Sequence, residues 1–313
     1  MLPELLPISV VIATRNRAAV LRQMLESLAG QSAQPETIVI VDSSDRSCTR
    51  EMLDERTVEG LHSTLHWYHA EIGGAAAQRN QGVLKALQPF VAFFDDDILF
   101  EANCMRQLWH AIKSNERIGG VNAMIMNQRY VAPGVVSRAM FAVMHGRRER
   151  SYAGKVIGPA INLLPEDRDD LPAIVPVEWL NTTCTVYRRE ALPDPPFDRF
   201  FTGYSLMEDL ALSLNVTKRG WKLANARTAR IQHHSQPAAY KADVTTMAAM
   251  ELVNRHYIMT EVMRKTTVVD FGRLALWEAF SVASTLRATR GLKTILQTVA
   301  GKFRAASKIL RSR

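Results

Sequence analysis

Short apolar runs alternate with segments of helical periodicity along the first third of the chain. The apolar runs predict strands at residues 8–13, 37–41, 62–69 and 89–94. Between them, apolar residues at helical spacing predict helices at residues 17–28, 74–87 and 101–114. Strands separated by helices of this length form βαβ units. We therefore expect an α/β fold in which helices flank a Rossmann-like, mostly parallel central sheet.

The alternation ends near Gly119, and the rest of the chain follows a different pattern. Residues 128–176 are mixed in character. The elements that we predict after them are a strand, a helix and two short strands, at residues 179–187, 207–219, 222–226 and 229–233. From about Ala238 onward the pattern is helical. Together these patterns predict a first domain over residues 1–237 and a C-terminal helical extension over residues 238–313.

The composition is that of a globular protein in a reducing compartment. Of the 313 residues, 47% are hydrophobic and 22% are charged, which is enough apolar material for a sizeable core. The three cysteines, Cys48, Cys104 and Cys184, lie far apart and form neither a disulfide framework nor a zinc pattern. We find no signal peptide, and no apolar run of the roughly 20 residues that span a bilayer. The expected location is the cytoplasm.

Basic charge is concentrated at the C-terminus. The formal net charge is +8, and residues 287–313 contain eight lysines and arginines but no acidic residue. Residues 1–286 are therefore balanced, with 31 basic and 31 acidic side chains. This distribution does not support a nucleic-acid-binding surface on the main body, and we expect no nucleic acid partner.

The same C-terminal segment has apolar residues at helical spacing, with the basic residues on and beside the other face. The apolar positions are Leu292, Ile295, Leu296, Val299, Phe303, Ala306 and Leu310. This pattern is typical of a helix that lies on an anionic membrane surface. It predicts peripheral attachment to the inner face of the cell membrane. The alternative is a dimer contact, which would make the protein a homo-oligomer.

Three adjacent carboxylates, Asp95, Asp96 and Asp97, follow the predicted strand at residues 89–94. Ligands of parallel sheets bind at the carboxyl ends of the strands. The mutual repulsion of the three side chains is unfavourable unless a cation or hydrogen-bond donors compensate it. A divalent ion such as Mn²⁺ or Mg²⁺, bound together with diphosphate oxygens, is such a cation. The alternative is a solvated turn in which the acids cap the next helix.

Further candidates lie at the ends of other predicted elements. Asp42 ends the second strand, where it can accept a hydrogen bond from a nucleobase or form a turn. Arg79 follows two glycines and several small residues, and it can pair with phosphate or with a strand-end carboxylate. Glu208 and Asp209 begin a helix, either as a general base or as helix-capping acids. His233 ends a short strand, as a metal ligand or as an ordinary surface or core histidine.

The order and spacing of these residues resemble those of the family 2 glycosyltransferases of the GT-A fold, over roughly residues 7–260. The matching motifs occupy residues 8–17, 38–45, 74–80, 93–97, 183–192, 197–201, 207–214, 218–221 and 229–233. Two positions depart from the family pattern, because Ser43 and Ala211 stand where the family often has acids. The resemblance implies a GT-A fold for the first domain.

The resemblance also implies a role for each candidate residue. It assigns nucleotide binding to residues of the first four matching motifs, namely Thr14, Asn16, Arg17, Asp42, Arg79, Asp95 and Asp96. It assigns metal binding to Asp97 and His233. The general base is expected to be Asp209, with Glu208 as the second choice, because Ala211 removes the family's other acid from this helix.

The activity implied by the resemblance is sugar transfer with inversion, dependent on Mn²⁺ or Mg²⁺. The expected donor is a UDP-, GDP- or dTDP-sugar, and the expected acceptor is a hydroxyl of a glycan or lipid-linked glycan. One alternative is a sugar nucleotidyltransferase, which would have a Gly-rich loop where Thr14 to Arg17 stand. Another is a non-catalytic protein that binds carbohydrate or a membrane surface on the same scaffold. The missing GxGxxG fingerprint disfavours a nicotinamide dehydrogenase.

Overall fold

A computed structural model of the chain describes residues 2–55, 58–236, 243–287 and 291–311. The chain divides into two compact units. The first comprises Met1–Tyr130 and Leu164–Ser235, and the second comprises Val131–Leu163 and Gln236–Arg313. The domain boundary predicted between residues 237 and 238 lies outside the described residues.

The elements alternate along the first part of the chain, as the apolar pattern predicts. The strands are β1 (Glu4–Thr14), β2 (Ala33–Asp42), β3 (Thr64–His69), β4 (Phe90–Phe94), β5 (Ile98–Phe100), β6 (Ile118–Ile125), β7 (Val156–Ile157), β8 (Ile161–Asn162), β9 (Ile174–Val177), β10 (Cys184–Arg188) and β11 (Lys222–His233). The helices are α1 (Ala18–Ala29), α2 (Cys48–Glu55), α3 (Ala75–Lys85), α4 (Cys104–Lys113), α5 (Val135–His145), α6 (Glu208–Lys218), α7 (Val244–Tyr257), α8 (Val268–Arg287) and α9 (Leu292–Arg311). A 3₁₀ turn, Arg189–Ala191, and a π-helical turn, Ile258–Val262, complete the set.

The first unit is built on a nine-stranded sheet in the order β3-β2-β1-β4-β10-β6-β11-β5, with β9 paired to β11. The strands β3, β2, β1 and β4 run parallel. β10 is antiparallel to both of its neighbours, whereas β11 is parallel to β6. The carboxyl ends of β1, β2 and β4 therefore meet at one edge of the sheet, where Thr14 is the register partner of Asp42.

Apolar residues at helical spacing hold α1 against this sheet. Leu21, Met24, Leu25 and Leu28 of α1 are fully buried and belong to the same core cluster as the inward-facing residues of β1. Burying such a side chain contributes roughly 1.5–3 kcal/mol. α3 packs against β1 and β2 at Gly82, whose missing side chain leaves room for the methyl groups of Val11 and Val41.

Two features of the sheet differ from the sequence-based expectation. β6 is completely buried, but the pattern beyond Gly119 did not predict it, because two glycines interrupt its apolar run. A Cβ atom on Gly120 would lie 2.6 Å from the Tyr187 ring, so glycine is required there by the aromatic side chain of β10. The two short strands predicted at residues 222–226 and 229–233 form one continuous strand, β11, with an irregular register against β6.

The second unit combines the β7-β8 hairpin with α5, α7, α8 and α9. A buried charge network links three of its helices. Arg255 of α7 pairs with Glu251 and Glu278, and Lys302 of α9 pairs with the same two carboxylates. Among the residues that the structure describes, no helix is long and apolar enough to cross a membrane.

Replacing Gly82 with alanine should destabilise the first unit, because the new Cβ would overlap Val11 Cγ1 and lie 3.3 Å from Val41 Cγ2. Overpacking of this kind costs about 1–3 kcal/mol, which a lower thermal midpoint would reveal. Gly30→Ala is the matched control. Gly30 has a φ of -75°, which alanine also adopts, and a new Cβ there would lie 3.6 Å from the nearest atom, an ordinary contact distance. Equal midpoints for the two variants would contradict this account of α3 packing.

Candidate active site

The three acids that follow β4 point to three different sets of partners. The backbone N–H of Asp95 donates to the Thr183 carbonyl at 2.9 Å, which fixes the start of the turn. Asp95 Oδ1 accepts from Arg79, Asp96 accepts from Thr14, and Asp97 Oδ1 lies 3.0 Å from His233 Nε2. The turn therefore distributes adjacent charges among separate partners.

Asp96 is the acid that turns toward the end of β1. The Thr14 hydroxyl donates to its Oδ2 at 2.7 Å, and Arg17 Nη1 lies 3.0 Å from its Oδ1. Burial raises the pKa of Asp96 to about 6, and the Thr14 hydroxyl and the Arg17 guanidinium oppose that increase. Arg17 also lies 3.4 Å from Asp97. The structure thus brings together Thr14, Arg17, Asp96 and Asp97, which the sequence places in two separate motifs.

Asn16 shapes the turn between β1 and α1. It has a φ of 55°, a left-handed conformation that asparagine tolerates better than most residues. Its side chain exchanges two hydrogen bonds with Asp45, at 2.9 Å to the carboxylate and 3.1 Å from the backbone N–H. Asn16 is exposed, so it is available to a ligand at this edge of the sheet.

Asp42 is buried at the carboxyl end of β2. Its Oδ1 accepts from both the backbone N–H and the hydroxyl of Ser44, and its Oδ2 lies 3.4 Å from Trp67 Nε1. Asp42 thus forms the turn that the sequence offered as the alternative to a nucleobase contact. Ser43, which replaces an acid of the family pattern, donates to Gln78 at 3.1 Å.

His233 reaches the acidic turn because β11 pairs with β5. His233 is the register partner of Ile98, so the strand ends beside Asp97. Its Nε2 lies 3.0 Å from Asp97 and 3.9 Å from Asp95. On the other side of the ring, Nδ1 lies 3.3 Å from the Gln128 amide, which orients the imidazole.

Asp95, Asp97 and His233 form a group that could hold a metal ion. Each offers one ligand atom, and all three atoms lie within 4.8 Å of one another. Two carboxylates and one imidazole suit a divalent ion of the Mn²⁺ or Mg²⁺ kind. The residues present therefore fit the predicted metal, and Asp95 would be a third ligand beside the two predicted from the sequence.

Arg79 connects this group to the start of α6. Its side chain is buried, and it pairs with Asp95 at 2.8 Å and with Glu208 at 2.6 Å. Burial alone would lower the pKa of Arg79, but the two carboxylates outweigh it, so the pKa is raised. The guanidinium also lies over the Phe197 ring, 5.6 Å from the centroid.

Glu208 and Asp209 form the first turn of α6, as predicted. Burial raises the pKa of the Glu208 carboxyl, although its ion pair with Arg79 opposes the change. Asp209 is only partly buried, and its Oδ1 accepts from the Leu210 N–H at 2.7 Å. Burial raises the pKa of Asp209 to about 6, with Leu210 and Arg79 opposing the increase and Asp95 adding to it.

Two residues with structural roles at the site were missed from the sequence. Gln78 donates to the carbonyls of Thr14 and Val41 at 3.0 and 2.8 Å, which ties the ends of β1 and β2 together. Asn80 exchanges two hydrogen bonds with the backbone of Phe197, at 2.7 and 2.9 Å. Both lie on the helix that carries Arg79, and the motif at residues 74–80 is the signal that could have identified them.

Comparison with known proteins identifies the family of this domain. The model of the family described as glycosyl transferase family 2 matches residues 9–149.

Residues 9–149 match a family 2 glycosyltransferase domain.

A sequence relative agrees with this assignment. The chain is 28% identical over 101 residues to EpsH of Bacillus subtilis (strain 168), a glycosyltransferase by name. The match covers 32% of this chain and 29% of EpsH, so it spans less than a third of that relative.

Solved structures extend the similarity beyond the matched residues of the glycosyltransferase domain. S. aureus TarS 1-349 in complex with UDP-GlcNAc has a TM-score of 0.57 at 15% identity, covering 94% of this chain and 79% of that one. The mannosyltransferase PcManGT from Pyrobaculum calidifontis, in complex with GDP-Man and Mn²⁺, has a TM-score of 0.54 at 16% identity, with 99% and 90% covered. GalNAc-T7 with UDP, GalNAc and Mn²⁺ has a TM-score of 0.52 at 19% identity, with 72% and 43% covered. The predicted GT-A fold is confirmed.

Asp97→Asn in the glycosyltransferase domain should weaken Mn²⁺ binding by at least roughly tenfold, because it removes a charged ligand of the candidate metal group. Calorimetry with Mn²⁺ alone measures this directly. Asp45→Asn is the matched control, since Asp45 is an exposed acid whose partners are Arg15 and Asn16. Equal Mn²⁺ affinities for the two variants would remove Asp97 from the metal site.

Proposed function

We propose that the protein is an inverting glycosyltransferase that transfers a sugar from a nucleoside-diphosphate sugar to a hydroxyl of a glycan or lipid-linked glycan. One observation carries the proposal. Arg79 pairs at once with Asp95 of the candidate metal group and with Glu208 at the start of α6. This link supports a proposal in which donor binding and acceptor activation share one continuous site, as such a transfer requires.

The proposed donor is a UDP-, GDP- or dTDP-sugar bound at the carboxyl ends of β1, β2 and β4. Related folds are known in complex with UDP-GlcNAc and with GDP-Man and Mn²⁺, which supports a donor of this class. A divalent ion held by Asp95, Asp97 and His233 would neutralise charge on the diphosphate oxygens. The proposed nucleotide contacts are those of the predicted set, of which Asn16 is exposed and Arg17 is partly exposed at the same edge.

Asp209 is the proposed general base. It takes the proton from the acceptor hydroxyl while that oxygen forms a bond to the anomeric carbon of the sugar. The bond between the anomeric carbon and the diphosphate breaks, and the nucleoside diphosphate leaves with the electron pair. Attack from the side opposite the leaving group inverts the configuration. Asp209 suits this role better than Glu208, because Glu208 is already paired with Arg79 whereas Asp209 is not.

The three cysteines support the proposed cytoplasmic location. All three are free thiols, and Cys48 is exposed. An exposed free thiol is typical of a reducing compartment, which is also where nucleotide sugars would be available to the proposed donor site.

Asp209→Asn should lower the transfer rate by roughly 10²–10⁴-fold, the usual contribution of a general base, while donor binding stays nearly unchanged. A thermal-shift screen of UDP-, GDP- and dTDP-sugars with Mn²⁺ selects the donor, and turnover is then measured with that donor. Glu208→Gln is the comparison variant, and it should weaken donor binding because it releases Arg79. Asp209 would not be the general base if Asp209→Asn retained transfer. The same conclusion would follow if Glu208→Gln lost turnover while its donor binding stayed unchanged.

The transfer rate should also depend on pH through Asp209. Since burial raises its pKa to about 6, the carboxylate form that accepts a proton predominates above pH 6 and is lost below it. Turnover at saturating donor should therefore be level above about pH 6 and fall about tenfold for each pH unit below it. Donor binding with Mn²⁺, measured in the same buffers, shows whether metal loss causes the fall. A rate that stays level down to pH 4.5 at full donor occupancy would contradict the assignment.

A further inference from the structure

Helix α9 exposes a row of large apolar side chains. Four large apolar residues of this helix are exposed, namely Leu292 (73%), Leu296 (61%), Phe303 (71%) and Leu310 (72%). At 3.6 residues per turn, their spacing places them within about 40° of one line along the helix. A helix that only packed on its own unit would bury such a row.

The inward face of α9 explains why the row cannot turn inward. Gly301 lies so close to α7 that a Cβ atom there would overlap the Thr245 carbonyl and lie 3.0 Å from Ala248 Cβ. Lys302, next in sequence, is 8% exposed, and its ammonium pairs with Glu251 at 2.8 Å and with Glu278. Rotating the helix would break these buried pairs and drive a larger side chain into α7. The rotation of α9 is therefore fixed.

Cations lie beside the exposed apolar row. Lys293, Arg304, Lys308 and Arg311 are all exposed, and helical spacing puts them along one flank of the row. Phe303, Arg304, Ser307, Lys308 and Arg311 together line one open depression on this face. α9 contains no acidic residue, so nothing on the helix itself neutralises these charges.

We propose that this face of α9 docks the protein on the surface of an anionic lipid bilayer. The apolar row enters the boundary between head groups and acyl chains, and the flanking cations contact lipid phosphates. A second copy of the helix is a poorer partner, because it would offer apolar residues but no acidic side chain to the cations. The docking face and the candidate active site share no residue, so the proposal does not depend on the proposed transfer reaction.

Flotation of the intact 313-residue chain with lipid vesicles tests the docking surface. The wild type should float with vesicles of phosphatidylcholine and phosphatidylglycerol, more weakly with phosphatidylcholine alone, and less at high salt. Phe303→Ser with Leu310→Ser should weaken binding roughly 10- to 100-fold. Lys308→Glu with Arg311→Glu should weaken binding to the anionic vesicles by a similar factor.

The matched control is Leu84→Ser, because Leu84 is a comparably exposed leucine (78%) on α3 of the other unit. It should bind vesicles as the wild type does. Circular dichroism and sedimentation of each variant show whether it remains folded and whether its oligomeric state changes. The proposal is overturned if the wild type does not float with anionic vesicles, or if the α9 variants float equally well. It is also overturned if those variants lose self-association instead of vesicle binding, which would make a second copy the occupant.

Discussion

The candidate site depends on one buried cation, Arg79. Its guanidinium forms ion pairs with Asp95, after β4, and with Glu208, at the start of α6, two residues that lie 113 positions apart in the sequence. Loss of one partner from a buried pair costs about 3–5 kcal/mol, because a charge remains without compensation. The planar fork of arginine can bind both carboxylates at once, which the point charge of a lysine does less well. Asn80, the next residue, holds the backbone of Phe197, so one helix fixes both parts of the site.

The candidate site contains more carboxyl groups than guanidinium groups. Five carboxyl groups, Asp95, Asp96, Asp97, Glu208 and Asp209, surround the guanidiniums of Arg17 and Arg79. Burial raises the pKa values of Asp96, Glu208 and Asp209, because their charged forms lose solvation by water. A divalent ion at Asp95, Asp97 and His233 would supply compensation where the carboxylates are closest. The same excess of acids would repel a diphosphate that arrived without a metal ion.

The sequence predicts the fold well where one physical signal is dominant. The apolar runs of β1, β2 and β4 and the helical spacing of α1 predict those elements to within a few residues, because their side chains enter one core. β6 has no such signal, since Gly119 and Gly120 make room for Trp221 and Tyr187, and those partners are distant in sequence. The candidate residues were predictable as strand-end and helix-start acids. The resemblance already groups Asp97 with His233, but the contacts of Asp95 with Arg79 and of Asp96 with Thr14 were not predictable, because they depend on the path of the turn.

For the C-terminal helix α9, the sequence predicts the helix but not which of its faces packs inward. Periodicity predicts that α9 is amphipathic, and a hydrophobic face is ordinarily the face that packs inward. In this unit, Lys302 packs inward, because Glu251 and Glu278 provide two carboxylates for one ammonium and Arg255 completes the network. Such a network contributes little net stability compared with apolar packing of the same volume. The network instead fixes the rotation of α9 about its axis. Because Gly301 and the paired Lys302 face α7, Phe303 and the three exposed leucines of α9 face away from the core of this unit.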